Sequence, residues 1–322
     1  MRMVKIPTTV ITGFLGTGKT TLVNHLLKHS GAESIGIIVN EFGEVGIDGG
    51  LVVANEEAVV EINNGCVCCT VRGDLVSSAE ALLNRPGWSP DRLIVETSGL
   101  ADPAPVLQTF LADPSVRERF ALESVIAVVD ACHFAQQIND DIAREQIVFA
   151  DCIVINKADL VDEAGLSALH QRIRLLNPTA AIEHAQRAEI PVDRLIGQRR
   201  FSLDNLLAIE PELLDEDAHD HEHDVSIASC AFVVQGALDE ARFNRWANEL
   251  VQTHGQQLMR TKGILHMQGE ARRMHFHSVH MLMDTTFGKP WPKDVSRETR
   301  FVAIGRHLDR EALRTGLLAC VA

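Results

Sequence analysis

A short run of β-branched and apolar residues at 8–12 leads straight into Gly13-Phe-Leu-Gly16-Thr17-Gly18-Lys19-Thr20-Thr21, and a helix-length amphipathic segment starts at Lys19. Strand, glycine-rich turn and helix in that order commit the start of the chain to a β-to-α connection at one edge of a sheet. Glycine tolerates positive φ, so Gly13, Gly16 and Gly18 let successive backbone N–H groups converge on one point, where the helix N-terminus adds the positive end of its dipole. That arrangement cradles phosphate oxygens: Lys19 supplies a point charge, the Thr20 hydroxyl suits Mg²⁺, and Thr17 and Thr21 complete the nucleotide-binding set. A glycine loop that merely turns the chain is the competing reading.

Through about residue 200, short apolar runs alternate with helix-length stretches. Strands are expected at 8–12, 34–40, 91–96, 124–130 and 152–156, with helices at 19–29, 71–83, 142–150 and 162–176. Such alternation builds a mostly parallel sheet covered by helices, so the fold class is α/β with a P-loop domain first. The pattern breaks in 211–224, an acidic and His-rich stretch with little to bury, which reads as a linker. Beyond it, strands at 225–235, 257–267, 273–283 and 300–304, with helices at 239–253 and 309–318, make a smaller α+β domain. The expected division is a P-loop domain at 1–205, a linker at 206–224 and a C-terminal domain at 225–322, natural for a chain of 322 residues.

Two further motifs follow the phosphate loop in chain order. Asn156-Lys157-Ala158-Asp159 ends an expected strand, on the side where ligands sit in open α/β sheets. A carboxylate at Asp159 accepts two hydrogen bonds from the N1–H and N2–H₂ edge of guanine, a donor pair that adenine lacks, so GTP is favoured over ATP. A helix cap is the bland alternative for that carboxylate. Between the two motifs, Glu96-Thr-Ser-Gly99 reads as the strand end beside the γ-phosphate. There Glu96 holds or orients Mg²⁺ and Gly99 offers its N–H, so that the loop to Pro105 becomes a nucleotide-sensitive switch; an acidic strand end followed by a turn is the plainer reading. Lys19, Thr20, Glu96 and Gly99 are thus the expected catalytic residues. No arginine finger stands out, and hydrolysis without an activator is expected to be slow.

Seven cysteines are an odd number, and three of them fall in Cys66-Val-Cys68-Cys69, a poor disulfide framework that suits a reducing, cytoplasmic compartment. In extended backbone Cys66 and Cys68 share a side and can pinch one ion, which Cys69 joins if the chain bends. A carboxylate such as Glu44, a His, water or a partner must then complete the shell. Soft thiolates favour Zn²⁺ or Cu⁺ over Mg²⁺, and the order of affinities leaves Co²⁺ and Ni²⁺ open; buried structural thiols or a redox pair are the alternatives. His219, His221 and His223 in the linker form at most a weak metal-collecting tract, and the histidines at 275, 277 and 280 alternate as in a strand and are expected to be structural. Thirty Lys and Arg against 44 Asp and Glu leave a net charge of −14, which disfavours nucleic acid and anionic lipid as partners. No apolar run has the length of a membrane span.

Taken together, TGFLGTGKTT, VNEFGE, NGCVCC, VETSGLADP and NKAD resemble the CobW-type family of P-loop GTPases, and the stretches 287–291 and 300–305 are similar to that family's C-terminal domain. The resemblance implies GTP-dependent handling or insertion of a transition metal, usually zinc and sometimes cobalt in corrinoid synthesis. It carries 13–21 over to nucleotide and Mg²⁺, 96–99 to the switch, Asn156, Lys157 and Asp159 to guanine, and Cys66, Cys68 and Cys69, with Glu44 as an auxiliary ligand, to the metal. Some relatives have an acidic residue where Val39 stands here. A client metalloprotein is the implied partner, and a nucleotide- or metal-dependent homodimer stays open. A phosphotransferase acting on a small substrate and a metal reservoir without turnover are the competing functions.

Overall fold

The computed structural model describes residues 5–41, 59–63, 70–84, 86, 89–198, 201, 227–293 and 295–322. By compactness the chain divides into two units, Met1–Arg172 with Ala180–Phe201, and Ile173–Thr179 with Ser202–Ala322. The expected linker at 206–224 lies outside the described residues.

The first unit is a seven-stranded sheet with the expected strands at its centre. In chain order these are β1 (Ile6–Thr12), β2 (Ile35–Glu41), β3 (Val59–Asn63), β4 (Arg92–Glu96), β5 (Phe120–Asp130), β6 (Cys152–Asn156) and β7 (Ala181–His184). Their spatial order is β3-β2-β4-β1-β5-β6-β7, and every pairing is parallel. Parallel strands need crossovers, and α1 (Lys19–His29), α2 (Thr70–Leu83), α3 (Ala104–Ala112), α4 (Pro114–Arg119), α5 (Phe134–Gln137), α6 (Asp141–Val148) and α7 (Glu163–Leu176) lie in the connections. Sheets covered on both faces bury whole strands, and all five residues of β4 and of β6 are buried. Helix α1 turns Leu22, Val23 and Leu26 into the core that also holds Ile11, Ile37, Ile94, Ile126 and Val154.

Five of these elements were not expected, the strands β3 and β7 and the helices α3, α4 and α5. Strands β3 and β7 are the two edges of the sheet, short and partly polar in sequence, so neither shows a buried-strand pattern. Helix α3 begins at a proline-flanked position that reads as loop, although a proline in the first turn gives up no helical hydrogen bond.

The second unit is an antiparallel sheet, β11-β10-β9-β12-β8, built from β8 (Ile227–Gln235), β9 (Leu258–Leu265), β10 (Arg272–Val279), β11 (Leu282–Pro290) and β12 (Glu298–Arg306). Helices α8 (Glu240–His254) and α9 (Arg310–Leu318) begin at Asp239 and Asp309, whose carboxylates accept from the N–H groups of Arg242 and Ala312. Their apolar faces meet one sheet face through Phe243, Leu250, Leu313 and Leu317 against Phe232, Phe276 and Phe301. The expected single strand at 273–283 is a hairpin instead. Val279 pairs with Leu282 across His280 and Met281, with His280 at φ 50°. No glycine or asparagine marks that turn, so alternation alone carries the strand reading through it. His275 and His277 alternate with Phe276 and therefore lie on the other face of the sheet, where both are buried.

Phe301 is fully buried, stacked with Phe276 and edge-on to Trp246. Phe301→Ala is expected to cost about 3–5 kcal/mol in denaturant unfolding; a loss below 1 kcal/mol would mean that this aromatic cluster does not organise the second unit.

Candidate functional site

Parallel register brings the carboxyl ends of β1, β4, β5 and β6 to one edge of the sheet. Ile11 pairs with Glu96, Thr12 with Ala127, and Asp130 with Asn156. The glycine loop leaves β1 at this edge with Gly13, Gly16 and Gly18 at φ 141°, 72° and 101°. A Cβ on Gly13 would stand 2.3 Å from the Val128 carbonyl oxygen, and one on Gly18 2.5 Å from the Asn156 amide nitrogen, so close approach adds to the conformational demand. Gly18 is also the residue before α1 and gives it no side-chain cap. Gly18 itself offers the first-turn N–H groups no side-chain acceptor, which suits an anion site at a helix N-terminus. Lys19, 8% exposed, places Nζ 3.2 Å from the Phe14 carbonyl, and the Thr17 hydroxyl donates to the same oxygen at 2.9 Å. Thr21 faces outward.

The Thr20 hydroxyl donates to Glu96 Oε1 at 2.7 Å. This bond joins the start of α1 to the end of β4 and brings together a hydroxyl and a carboxylate oxygen, the hard donors that Mg²⁺ prefers. Thr97 donates to Thr12 at 2.9 Å and locks the neighbouring strand ends. Gly99 sits against the phosphate loop: a Cβ there would meet the Leu15 side chain at 2.6 Å and the Leu15 nitrogen at 2.9 Å. Gln146 of α6, 1% exposed, donates to the carbonyls of Gly99 and Ala101, both at 3.2 Å. It braces the loop that follows β4. Burial pushes the pKa of Asp102 in that loop upward, against a hydrogen bond from the Ala104 N–H that lowers it.

The four residues from Asn156 act less uniformly than their motif implies. Asn156 is buried, donates to the Thr17 carbonyl at 2.9 Å and accepts from the Ala188 N–H at 2.8 Å, so it fastens the phosphate loop to the loop after β7. Lys157 adopts φ 58° and donates to the Gly16 carbonyl at 3.0 Å and to Asp130 at 2.7 Å. Asp159 is exposed, in the short 3-10 turn Ala158–Leu160.

Asp130 and Gln146 carry no motif. The signal for Asp130 is an acid at the carboxyl end of a central strand; for Gln146 it is a polar residue on the core side of an amphipathic helix. Burial pulls the Asp130 pKa upward, but hydrogen bonds from Lys157, His133 and the Cys132 N–H outweigh it and hold the carboxyl below its ordinary value. Cys66, Cys68, Cys69 and Glu44 lie outside the described residues. The flanking elements are described: β3 ends at Asn63, paired with Glu41, and α2 starts at Thr70. In β2, Val39 pairs with both Glu61 and Glu96, so Asn63 sits at the same sheet edge as Glu96, two residues further along.

A family model described as CobW/HypB/UreG, nucleotide-binding domain, matches residues 7–184, and one described as the cobalamin synthesis protein cobW C-terminal domain matches 227–321. Zinc chaperone YjiA of Escherichia coli (strain K12) is 33% identical over 314 residues, covering 96% of each chain. Zinc chaperone CobW of Sinorhizobium sp is 33% identical over 353 residues, covering 98% of each. The crystal structure of Zn(II)-bound YjiA GTPase from E. coli matches with a TM-score of 0.77 at 28% identity, over 99% of this chain and all of that one.

Asp130→Asn removes the carboxylate partner of Lys157, which is 34% exposed, and is expected to cost about 1–2 kcal/mol at neutral pH. Because the folded pKa is depressed, this stabilisation is present above the unfolded value of about 3.9 and is lost as pH falls through the folded one. The gap between wild type and variant, followed by unfolding at each pH, should close in acid; a gap independent of pH would contradict the assignment.

Proposed function

Since the chain belongs to the CobW family and carries both its nucleotide-binding and its C-terminal domain, we propose that it is a GTP-hydrolysing metallochaperone whose nucleotide state governs the binding and release of a transition-metal cargo, zinc first. The observation that carries this reading is the 2.7 Å bond from Thr20 to Glu96, which ties the phosphate loop to the strand leading into Gly99. The names of the relatives, zinc chaperones and a Zn(II)-bound GTPase, support zinc and GTP turnover.

Each residue has a distinct task in this mechanism. The Asp159 carboxylate accepts the N1–H and N2–H₂ edge of guanine, while Asn156 and Lys157 hold the phosphate loop in shape beneath the nucleotide. Backbone N–H groups of 13–21 and the Lys19 ammonium take the phosphate oxygens, so Lys19 exchanges the Phe14 carbonyl for a formal charge. Thr20 and Glu96 are the residues that would hold Mg²⁺, which when bound neutralises charge on the β- and γ-phosphates. The Gly99 N–H meets the γ-phosphate, and Gln146 passes the loop's position to α6. Cys66, Cys68 and Cys69, with Glu44, take the cargo ion.

Strand β3, which precedes the cysteines in sequence, ends at Asn63 on the edge of the sheet where Glu96 ends, and this supports a link between the γ-phosphate and the metal motif. A client metalloprotein receives the ion and completes a site that turns over slowly alone. Reduced thiolates require a reducing compartment, the cytoplasm, and no helix among the described residues is long and apolar enough to cross a membrane.

The purified protein should release inorganic phosphate from GTP in preference to ATP, with no second substrate. Asp159→Asn is expected to weaken GTP binding by about 1.5–3 kcal/mol and to improve binding of xanthosine triphosphate, because a charged acceptor becomes an amide. Equal affinity of wild type for ATP and GTP would remove the guanine assignment. Lys19→Ala is expected to lower kcat by about 10²–10³-fold with little change in melting temperature; a large fall in melting temperature without nucleotide would point to a structural lysine instead.

A further inference from the structure

At the edge of the parallel sheet opposite β3, two histidines stand outside the nucleotide chemistry. His170 projects from α7 and His184 is the last residue of β7. Their Nε2 atoms face each other 2.6 Å apart at the protein surface, with ring centroids 4.8 Å apart and planes inclined at 66°. A hydrogen bond between the rings places a single proton between two nitrogens, one donating and one accepting. A divalent ion can take the place of that proton, because neutral imidazole nitrogens are among the commonest metal ligands.

We infer that His170 and His184 form a second, exposed transition-metal site, a two-imidazole clamp for a zinc-class divalent ion on the guanine side of the GTPase domain. Ligands about 2.0–2.1 Å from a tetrahedral ion stand about 3.3 Å apart, so the two nitrogens need to open by roughly 0.7 Å. Rotation of the exposed His184 ring supplies that movement without disturbing the core. Glu183, the adjacent acid, alternates to the other side of the strand and accepts from Arg194 at 3.3 Å. Among the described residues no third His, Cys, Asp or Glu joins the pair. The pair by itself fills two positions of a four-coordinate shell and leaves the others to exchangeable ligands. Imidazoles alone also distinguish this site chemically from the thiolates of Cys66, Cys68 and Cys69.

Its place in the fold gives the site a near neighbour. His184 precedes Ala185, whose carbonyl accepts from the Ala158 N–H at 3.2 Å, and the same loop reaches Ala188, which donates to Asn156. An ion on His184 is thus one residue from the loop that braces the guanine end of the site.

The test uses the full-length, reduced, GDP-bound protein in which Cys66, Cys68 and Cys69 are changed to Ser and His219, His221 and His223 to Ala. Co²⁺ is titrated by its visible absorption, and Zn²⁺ by competition against Co²⁺. This parent should bind one Co²⁺ equivalent more than either His170→Ala or His184→Ala, with nitrogen and oxygen ligation and no thiolate charge-transfer band. Each substitution should weaken that equivalent at least tenfold while leaving GDP affinity within twofold. Because the two histidines sit on different elements, either variant decides the matter if the other fails to bind GDP. A parent that binds no such ion, or a folded variant that keeps the equivalent at full affinity, would overturn the site.

Discussion

A single buried amide holds the nucleotide frame together. Asn156 spends its nitrogen on the Thr17 carbonyl and its oxygen on the Ala188 N–H, so three loops that leave different strands share one side chain. Unsatisfied, either end of that amide would cost roughly 1–3 kcal/mol in the interior, and the loops move together or not at all. The close approach of Gly18 to the same amide shows why no side chain is accommodated there. Around this brace the parallel register brings the strand ends that carry Glu96 and Asp130, and the loops that carry Lys19 and Asp159, to one edge of the sheet.

The second link runs the other way, from the phosphates outward. Thr20 bonds Glu96, Gly99 packs on Leu15, and Gln146 grips the carbonyls of Gly99 and Ala101. Anything that repositions the Gly99 turn must therefore act on β4 and α6 together. Strand β2 lies between β4 and β3, and the chain that carries the cysteines starts where β3 ends. One strand, β2, therefore separates the Glu96 end of β4 from the end of β3 that precedes the cysteines in sequence.

Much of this was legible in the residues themselves. The strand, glycine loop and helix from 8 to 29 follow from local rules: positive φ at glycines, β-branched residues before them and helix formers after. The order P-loop, Glu96, Asn156-to-Asp159 leads to the expectation of a guanine nucleotide, and each of these motifs does lie at the end of a strand. What local rules did not supply were tertiary roles. Asn156 looks like a base ligand and serves as a brace; Asp130 and Gln146 act only because β5 and α6 bring them to the loops. The β10–β11 hairpin was hidden because apolar residues continue on both sides of His280 and no glycine or asparagine marks the turn. Edge strands β3 and β7 carry a charged residue within the run, Glu61 and Glu183, whereas β4 and β6 are apolar between their end residues.

The proposed link between nucleotide and cargo is reciprocal by thermodynamic necessity, which makes it measurable from either side. The most direct measurement is the Zn²⁺ affinity of the reduced, full-length protein at fixed pH, once with GDP and once with a non-hydrolysable GTP analogue. Coupling through the Thr20–Glu96–Gly99 link predicts affinities that differ by about 5–150-fold, matched by the same factor in the effect of Zn²⁺ on the preference for the GTP analogue over GDP. Identical Zn²⁺ affinities in the two nucleotide states would contradict it.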